Sequence, residues 1–171
     1  DAVDYCTCSP GYFGDASSGD DCSACLNSAY TSNTYDNTRT SSDCIACASG
    51  YQGSLTAQSS NAGCTACAPG YYSPGGSVGA ESGCSEVGDG YYNDGTTNAR
   101  SQCGSGADTD GETTASSVSE CICIAGYYGD ASSGADCTQC TGSSYTTASS
   151  NSNTGCTDCA TGYYGTAVGS T

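Results

Sequence analysis

The chain has no His, Lys, Met or Trp, one Phe, and two basic residues, Arg39 and Arg100, in 171. Each absence excludes a class of function. Without His or Lys a Ser nucleophile lacks its usual base, and carboxylates in Gly-rich loops cannot exclude water to shift their pKa values, so no catalytic residue is assigned. Two basic residues against 18 acidic ones, a formal charge of -16, exclude nucleic acid and anionic membrane surfaces as partners, because both are bound through clustered Lys and Arg. Leu, Ile, Val and Phe together number eleven, about 6% of the chain. That is far below the roughly 20% under which a chain cannot fill an ordinary core, so a one-core globular enzyme is excluded. No run approaches the roughly 18 apolar residues of a membrane span. The sequence opens Asp1-Ala2-Val3 without a signal peptide, and we expect a processed or excised piece that is not inserted in a membrane.

What is present is 16 Cys, 25 Gly, 14 Tyr and 50 Ser or Thr. Cysteine at this density in a chain without a core reads as a disulfide scaffold in an oxidising compartment, extracellular or lumenal. Internal repetition is the strongest signal. Residues 8 to 25, CSPGYFGDASSGDDCSAC, match residues 123 to 140, CIAGYYGDASSGADCTQC, at 12 of 18 positions with a displacement of 115. Cys6 and Cys8 map to Cys121 and Cys123, and Cys44 and Cys47 map to Cys156 and Cys159 after a three-residue deletion. The expected organisation is a first long repeat, 1–115, with sub-units near 6–25, 25–47, 47–67, 67–84 and 84–115, followed by the first half of a second repeat, 116–171.

The shorter unit is Cys-x-x-Gly-Tyr, opening at Cys8, Cys47, Cys67, Cys123 and Cys159, with a degenerate copy at Gly90-Tyr91-Tyr92 that follows Cys84 at the wrong distance. The polar segments between units show neither period 2 over a useful length nor period 3.6. They predict turns, short hairpin strands and no helix longer than a turn or two. The expected fold class is small and disulfide-rich, an elongated tandem array of loop and short β-hairpin modules in which each unit stacks on its neighbour.

Cys-x-x-Cys pairs recur, and Cys22 to Cys47 fits zinc-ribbon spacing. Two overlapping ribbons would claim Cys44 and Cys47, no His is present, and the setting is oxidising, so disulfides are the better reading. A redox-active pair is disfavoured, because its thiolate needs positive charge or a helix N-terminus. A ladder in which each unit-opening Cys joins the next gives Cys8–Cys22, Cys25–Cys44, Cys47–Cys64, Cys67–Cys84, Cys103–Cys121, Cys123–Cys137 and Cys140–Cys156, each enclosing 13 to 18 residues. Closing such a loop stabilises by about 3 kcal/mol in the chain-entropy model. Cys6 and Cys159 stand outside the ladder, from which we expect the array to continue or subunits to join end to end. Connectivity is not fixed by sequence, and an interleaved EGF-like pairing competes for Cys103, Cys121 and Cys123.

The stretches Cys6-Thr-Cys8-Ser-Pro-Gly11-Tyr12 and Cys121-Ile-Cys123-Ile-Ala-Gly126-Tyr127 resemble the end of an EGF-like domain. Residues 64 to 72 and 156 to 164 are similar to the cysteine-rich repeats of ephrin receptors and tumour-necrosis-factor receptors. Over nearly all of the chain except 85 to 120, the Gly-Tyr segments and Ser/Thr/Gly loops look most like large cysteine-rich surface proteins of protists, including those of the flagellar hairs (mastigonemes) of heterokont algae. The resemblance implies extracellular architecture and no catalytic residue.

The Tyr after each Cys-x-x-Gly is expected to form the local core over a disulfide; sugar stacking and inter-subunit crosslinking are the alternatives. The Gly before it is expected to supply a positive-φ turn. Asp108, Asp110 and Glu112 alternate around Gly111 as in calcium loops, making calcium a candidate ligand against a solvated acidic turn. Asp15 and Asp130, each before Ala-Ser-Ser-Gly, are read as Asx turns. No Asn-x-Ser/Thr acceptor exists, and the Ser/Thr tracts are expected to carry O-linked sugar. Two functions compete. The first is a structural repeat protein of a filament, hair or coat, self-associating or part of a longer polymer. The second is a recognition module, a receptor or adhesin ectodomain, which would use exposed aromatic or Arg hot spots.

Overall fold

The computed structural model describes residues 6–26, 29–31, 38–53, 59–147 and 149–163. The chain falls into two compact units, Asp1–Ala68 with Ser73–Ser85, and Pro69–Tyr72 with Glu86–Thr171. Among the described residues both are built from strands only two residues long, eight two-stranded sheets in series.

In the first unit β1 (Tyr12–Phe13) pairs with β2 (Ser23–Ala24), β3 (Ala29–Tyr30) with β4 (Ile45–Ala46), and β5 (Tyr51–Gln52) with β6 (Ala66–Cys67), all antiparallel. Next in chain order come β7 (Tyr71–Tyr72) and β8 (Ser85–Glu86). In the second unit β9 (Tyr91–Tyr92) pairs with β10 (Ser101–Gln102), β11 (Ala107–Asp108) with β12 (Ile122–Cys123), β13 (Tyr127–Tyr128) with β14 (Thr138–Gln139), and β15 (Ser144–Tyr145) with β16 (Thr157–Asp158). Among the described residues the helical segments are three-residue 3-10 turns, such as Ala16–Ser18 and Val118–Glu120. A Gly- and Ser-rich chain with so few aliphatics has nothing with which to hold a longer helix.

The entry to each hairpin follows from its sequence. In Ser9-Pro10-Gly11-Tyr12 the Tyr12 N–H donates to the Ser9 carbonyl at 3.0 Å, and Gly11 has φ 87°. That is a type II turn, with Pro fixing the second position and Gly supplying the left-handed third. The turn recurs at Ala48 to Tyr51, Ile124 to Tyr127 and Ala160 to Tyr163, with φ 86°, 86° and 91° at Gly50, Gly126 and Gly162.

Seven disulfides span the hairpins: Cys8–Cys22, Cys25–Cys44, Cys47–Cys64, Cys67–Cys84, Cys103–Cys121, Cys123–Cys137 and Cys140–Cys156. They are the pairs that the one-to-next ladder joins, each with its Cα atoms 5.7 to 5.8 Å apart. The interior is made of these bridges. Cys8, Cys64, Cys67, Cys121 and Cys123 are fully buried, whereas the hairpin tyrosines are half-buried except Tyr145, which is exposed. In the second unit Tyr92, Tyr127 and Val118 pack on a cluster of Cys103, Cys121, Cys123, Cys137 and Ala131. The Tyr127 ring lies where a side chain on Gly106 would stand, so residue 106 has no room for a larger residue. Bridges of this number belong to an oxidising environment. Among the described residues no helix is long and apolar enough to cross a membrane.

Candidate functional site

The feature that recurs is the joint between one hairpin and the next. The ladder closes each bridged hairpin on itself. The joint itself is polar: at four of the Gly-Tyr turns the Gly N–H donates to the residue that follows the first strand of the next hairpin. Gly11 N–H donates to Thr31 Oγ1 at 2.5 Å, Gly90 to Thr109 Oγ1 at 3.1 Å, and Gly126 to Thr146 Oγ1 at 2.8 Å. Gly70 N–H uses the Asn93 carbonyl at 2.8 Å instead. Thr31, Asn93 and Thr109 are 0%, 4% and 4% exposed, so the buried polar positions of the chain are largely these joints. Burying a hydroxyl is tolerated because it is bonded, here to a backbone donor that would otherwise be stranded.

Among the described hairpins, β9 with β10 has no disulfide. Val87 stands three residues before Gly90, where the other hairpins have Cys8, Cys47 or Cys123, and Arg100 stands three before Cys103, as Cys22 stands three before Cys25. The copy read as degenerate is therefore a complete module in which both cysteines are replaced. Val87 is fully buried. The Arg100 guanidinium lies 3.8 Å from the Tyr91 ring centroid and 4.4 Å from that of Tyr72, and donates to the Val87 carbonyl. A cation stacked between two aromatic rings, with its N–H groups on backbone oxygen, substitutes for the missing covalent link.

Arg100 makes these contacts from an exposed position, whereas the other basic residue is turned inward. Arg39 is 6% exposed and donates to Thr31 Oγ1 at 3.2 Å and to the Tyr12 carbonyl at 3.4 Å. Arg39 is thus an internal clamp, whereas Arg100 clamps its own hairpin from an exposed position.

No family model, no curated protein and no solved structure matches this chain.

The acidic residues are mostly occupied in turns. Asp15 Oδ1 accepts the N–H and hydroxyl of Ser17, and Asp130 Oδ1 does the same from Ser132. The side-chain and backbone bonds from these serines hold both carboxyls below the ordinary value of 3.8. In the calcium candidate, Asp108 Oδ1 accepts the Asp110 N–H at 3.0 Å, and Glu112 Oε1 accepts the N–H and hydroxyl of Thr114. Each oxygen closes its own turn. Burial, helped by the neighbouring charges of Asp89 and Asp110, raises the Asp108 carboxyl. Asp89, 19 residues before Asp108 in sequence yet beside the loop in space, accepts the Thr109 N–H, the Thr109 hydroxyl and the Gly111 N–H on one oxygen. Burial raises Asp89, but these bonds outweigh it and leave the carboxyl lowered.

Among the described residues, the grouping of three metal-type ligand atoms within 4.8 Å of one another is Cys47, Cys64 and Glu81, not Asp108, Asp110 and Glu112. Cys47 and Cys64 are each other's disulfide partners, which leaves one carboxylate and no thiolate to bind a metal. Glu81 has a mechanical role instead. Its two oxygens accept from Ala48 N–H and Asn61 Nδ2, and its own N–H donates to the Cys64 carbonyl. Sequence reasoning missed Glu81, the buried Thr and Asn of the joints, and the Val87 and Arg100 pair. The last was readable from the fixed offsets around Gly90 and Cys103.

Proposed function

We propose that this chain is an extracellular structural repeat protein, a segment of a filament, hair or surface coat whose task is to carry load and resist proteolysis. The observation that carries the reading is the serial arrangement: disulfide and turn are repeated hairpin after hairpin, a joint hydrogen bond recurs at four of the turns, and both arginines bond to backbone carbonyls of the chain itself. A chain so arranged puts its specific chemistry into holding itself together. The EGF-like and receptor-like cysteine spacings, and the resemblance to flagellar-hair proteins, support the same reading. Its partners are then further copies or related chains, and its exposed Ser and Thr are acceptors for O-linked sugar.

Electron microscopy of secreted, oxidised protein tests this. Fibres or sheets that disperse on reduction are the expected result; monodisperse particles at all concentrations would overturn it in favour of a recognition module. Intact mass before and after chemical removal of O-linked sugar tests the glycosylation separately.

A further inference from the structure

The 115-residue displacement relates two concave sites. The first, of about 420 Å³, is lined by Phe13, Ala24, Leu26 and Ala29 around the Cys25–Cys44 bridge. The second, of about 330 Å³, is lined by Tyr128, Gln139, Thr141 and Ser144 around the Cys140–Cys156 bridge. These are the same four positions of the repeat. Phe has become Tyr, Ala has become Gln, Leu has become Thr and Ala has become Ser, while the bridge and the Gly-Tyr turn are unchanged. The frame is kept and every one of the four contacts has gained a polar group.

A second observation concerns what those groups do. Elsewhere in the chain, exposed hydroxyls are commonly tied to a neighbour, as Ser17 is to Asp15, Thr96 to Asp94, Thr114 to Glu112 and Ser116 to Glu120. Around the second cleft, Ser144 Oγ donates to the Thr141 carbonyl at 2.7 Å, whereas the side chains of Thr138, Gln139, Thr141 and Thr154 make no hydrogen bond among the described residues. They face a concavity that also presents the half-buried Tyr128 ring. Its volume lies within the roughly 300 to 1,000 Å³ usual for small-ligand sites.

We propose that the second cleft is a subsite for a neutral sugar. An aromatic ring takes the C–H face of a pyranose, and short amide and hydroxyl side chains bond its ring of hydroxyls, acting as either donor or acceptor. No charged residue lines the cleft, and the chain's charge of -16 repels acidic sugars. The first cleft, with the same shape class and no polar lining beyond Ser41, is a control present in the same molecule.

The test is a titration of the oxidised full chain, followed by amide shifts in NMR, with methyl glucoside, methyl galactoside and methyl mannoside, and with glucuronate as the acidic comparison. At least one neutral glycoside should bind in the millimolar range, with shifts confined to residues 128 to 156, and glucuronate should bind at least tenfold more weakly. The combined variant Tyr128→Phe, Gln139→Ala, Thr141→Leu, Ser144→Ala gives the second cleft the lining of the first and should lower the affinity at least tenfold. A free-thiol count unchanged from the parent keeps misfolding from imitating that loss. No shifts at 50-fold above the millimolar range (about 50 mM), shifts on residues 13 to 46 instead, or a variant that binds as the parent does would each overturn the proposal.

Discussion

Replacing Val87 and Arg100 together by Cys should create an eighth disulfide. The two positions are 13 apart in sequence, against 14 for Cys8–Cys22 and Cys123–Cys137, which serve the equivalent hairpins with Cα separations of 5.8 and 5.7 Å. Closing a loop of that size is worth about 3 kcal/mol in the chain-entropy model. Against it stands the loss of the Arg100 clamp. Two cation–π contacts and a charge-assisted bond to a carbonyl, partly exposed, amount to about 2 kcal/mol. The double variant should therefore gain about 1 kcal/mol over the parent, whereas Arg100→Ala alone should lose about 2 kcal/mol. Amide exchange at Tyr91 and Cys103, whose N–H groups donate to Gly88 and Gly90 within this hairpin, reads the difference locally. Exchange through local opening should be slower in the double variant than in Arg100→Ala by roughly 100-fold, the equivalent of 3 kcal/mol. Mass spectrometry of the non-reduced peptide should show residue 87 linked to residue 100. Two free thiols at these positions in the folded chain, or linkage of either to Cys84 or Cys103, would refute the equivalence of this module with the others.

Reduction of all seven bridges should abolish the hairpins, because eleven Leu, Ile, Val and Phe residues cannot replace the buried cystines; near-ultraviolet circular dichroism that survived reductant would contradict this. Thr109→Val keeps the shape but leaves the Gly90 N–H without its acceptor, at a cost of about 1 to 3 kcal/mol, and denaturant unfolding should show a loss in that range, with Thr109→Ser recovering most of it. For acid, the sign follows from depressed carboxyls. Asp15, Asp94 and Asp130 lie below 3.8 when folded, chiefly through side-chain bonds from Ser17, Thr96 and Ser132, so each contributes stability above 3.8 that is lost as pH falls through its folded value. Amide exchange at Ser17, Thr96 and Ser132, corrected for intrinsic pH dependence, should show protection falling below pH 3.8 while the bridges stay intact; protection unchanged down to pH 2 (about two units lower) would remove the Asx turns from the account.

The hairpins and bridges were legible because spacing carries both. A Cys three residues before Gly-Tyr fixes the turn, and one closing Cys after 13 to 18 residues fixes the loop, so counting offsets reaches the architecture without any hydrophobic pattern. The same counting stopped at residues 85 to 102 because it was applied to cysteine alone. Val87 buries its side chain as a half-cystine would, and Arg100 reaches back to the Val87 carbonyl. The module persists through geometry that a cysteine count does not register. Thr31, Asn93, Thr109 and Thr146 were invisible for another reason. Each lies among dozens of other polar residues, and what distinguishes it is its place immediately after a first strand, opposite the Gly N–H of the preceding turn.

The acidic loop taught the reverse lesson. Three carboxylates at alternate positions pointed to a cation in sequence, but in a chain so rich in Gly, Ser and Thr the nearest N–H and O–H groups are always one or two residues away. Asp108, Glu112, Asp15, Asp94 and Asp130 each close a local ring with them. A short polar side chain that can satisfy itself locally does so before it can join a distant partner. That competition is also why Thr138, Gln139, Thr141 and Thr154, whose side chains make no such local bond among the described residues, stand apart from the rest of the surface.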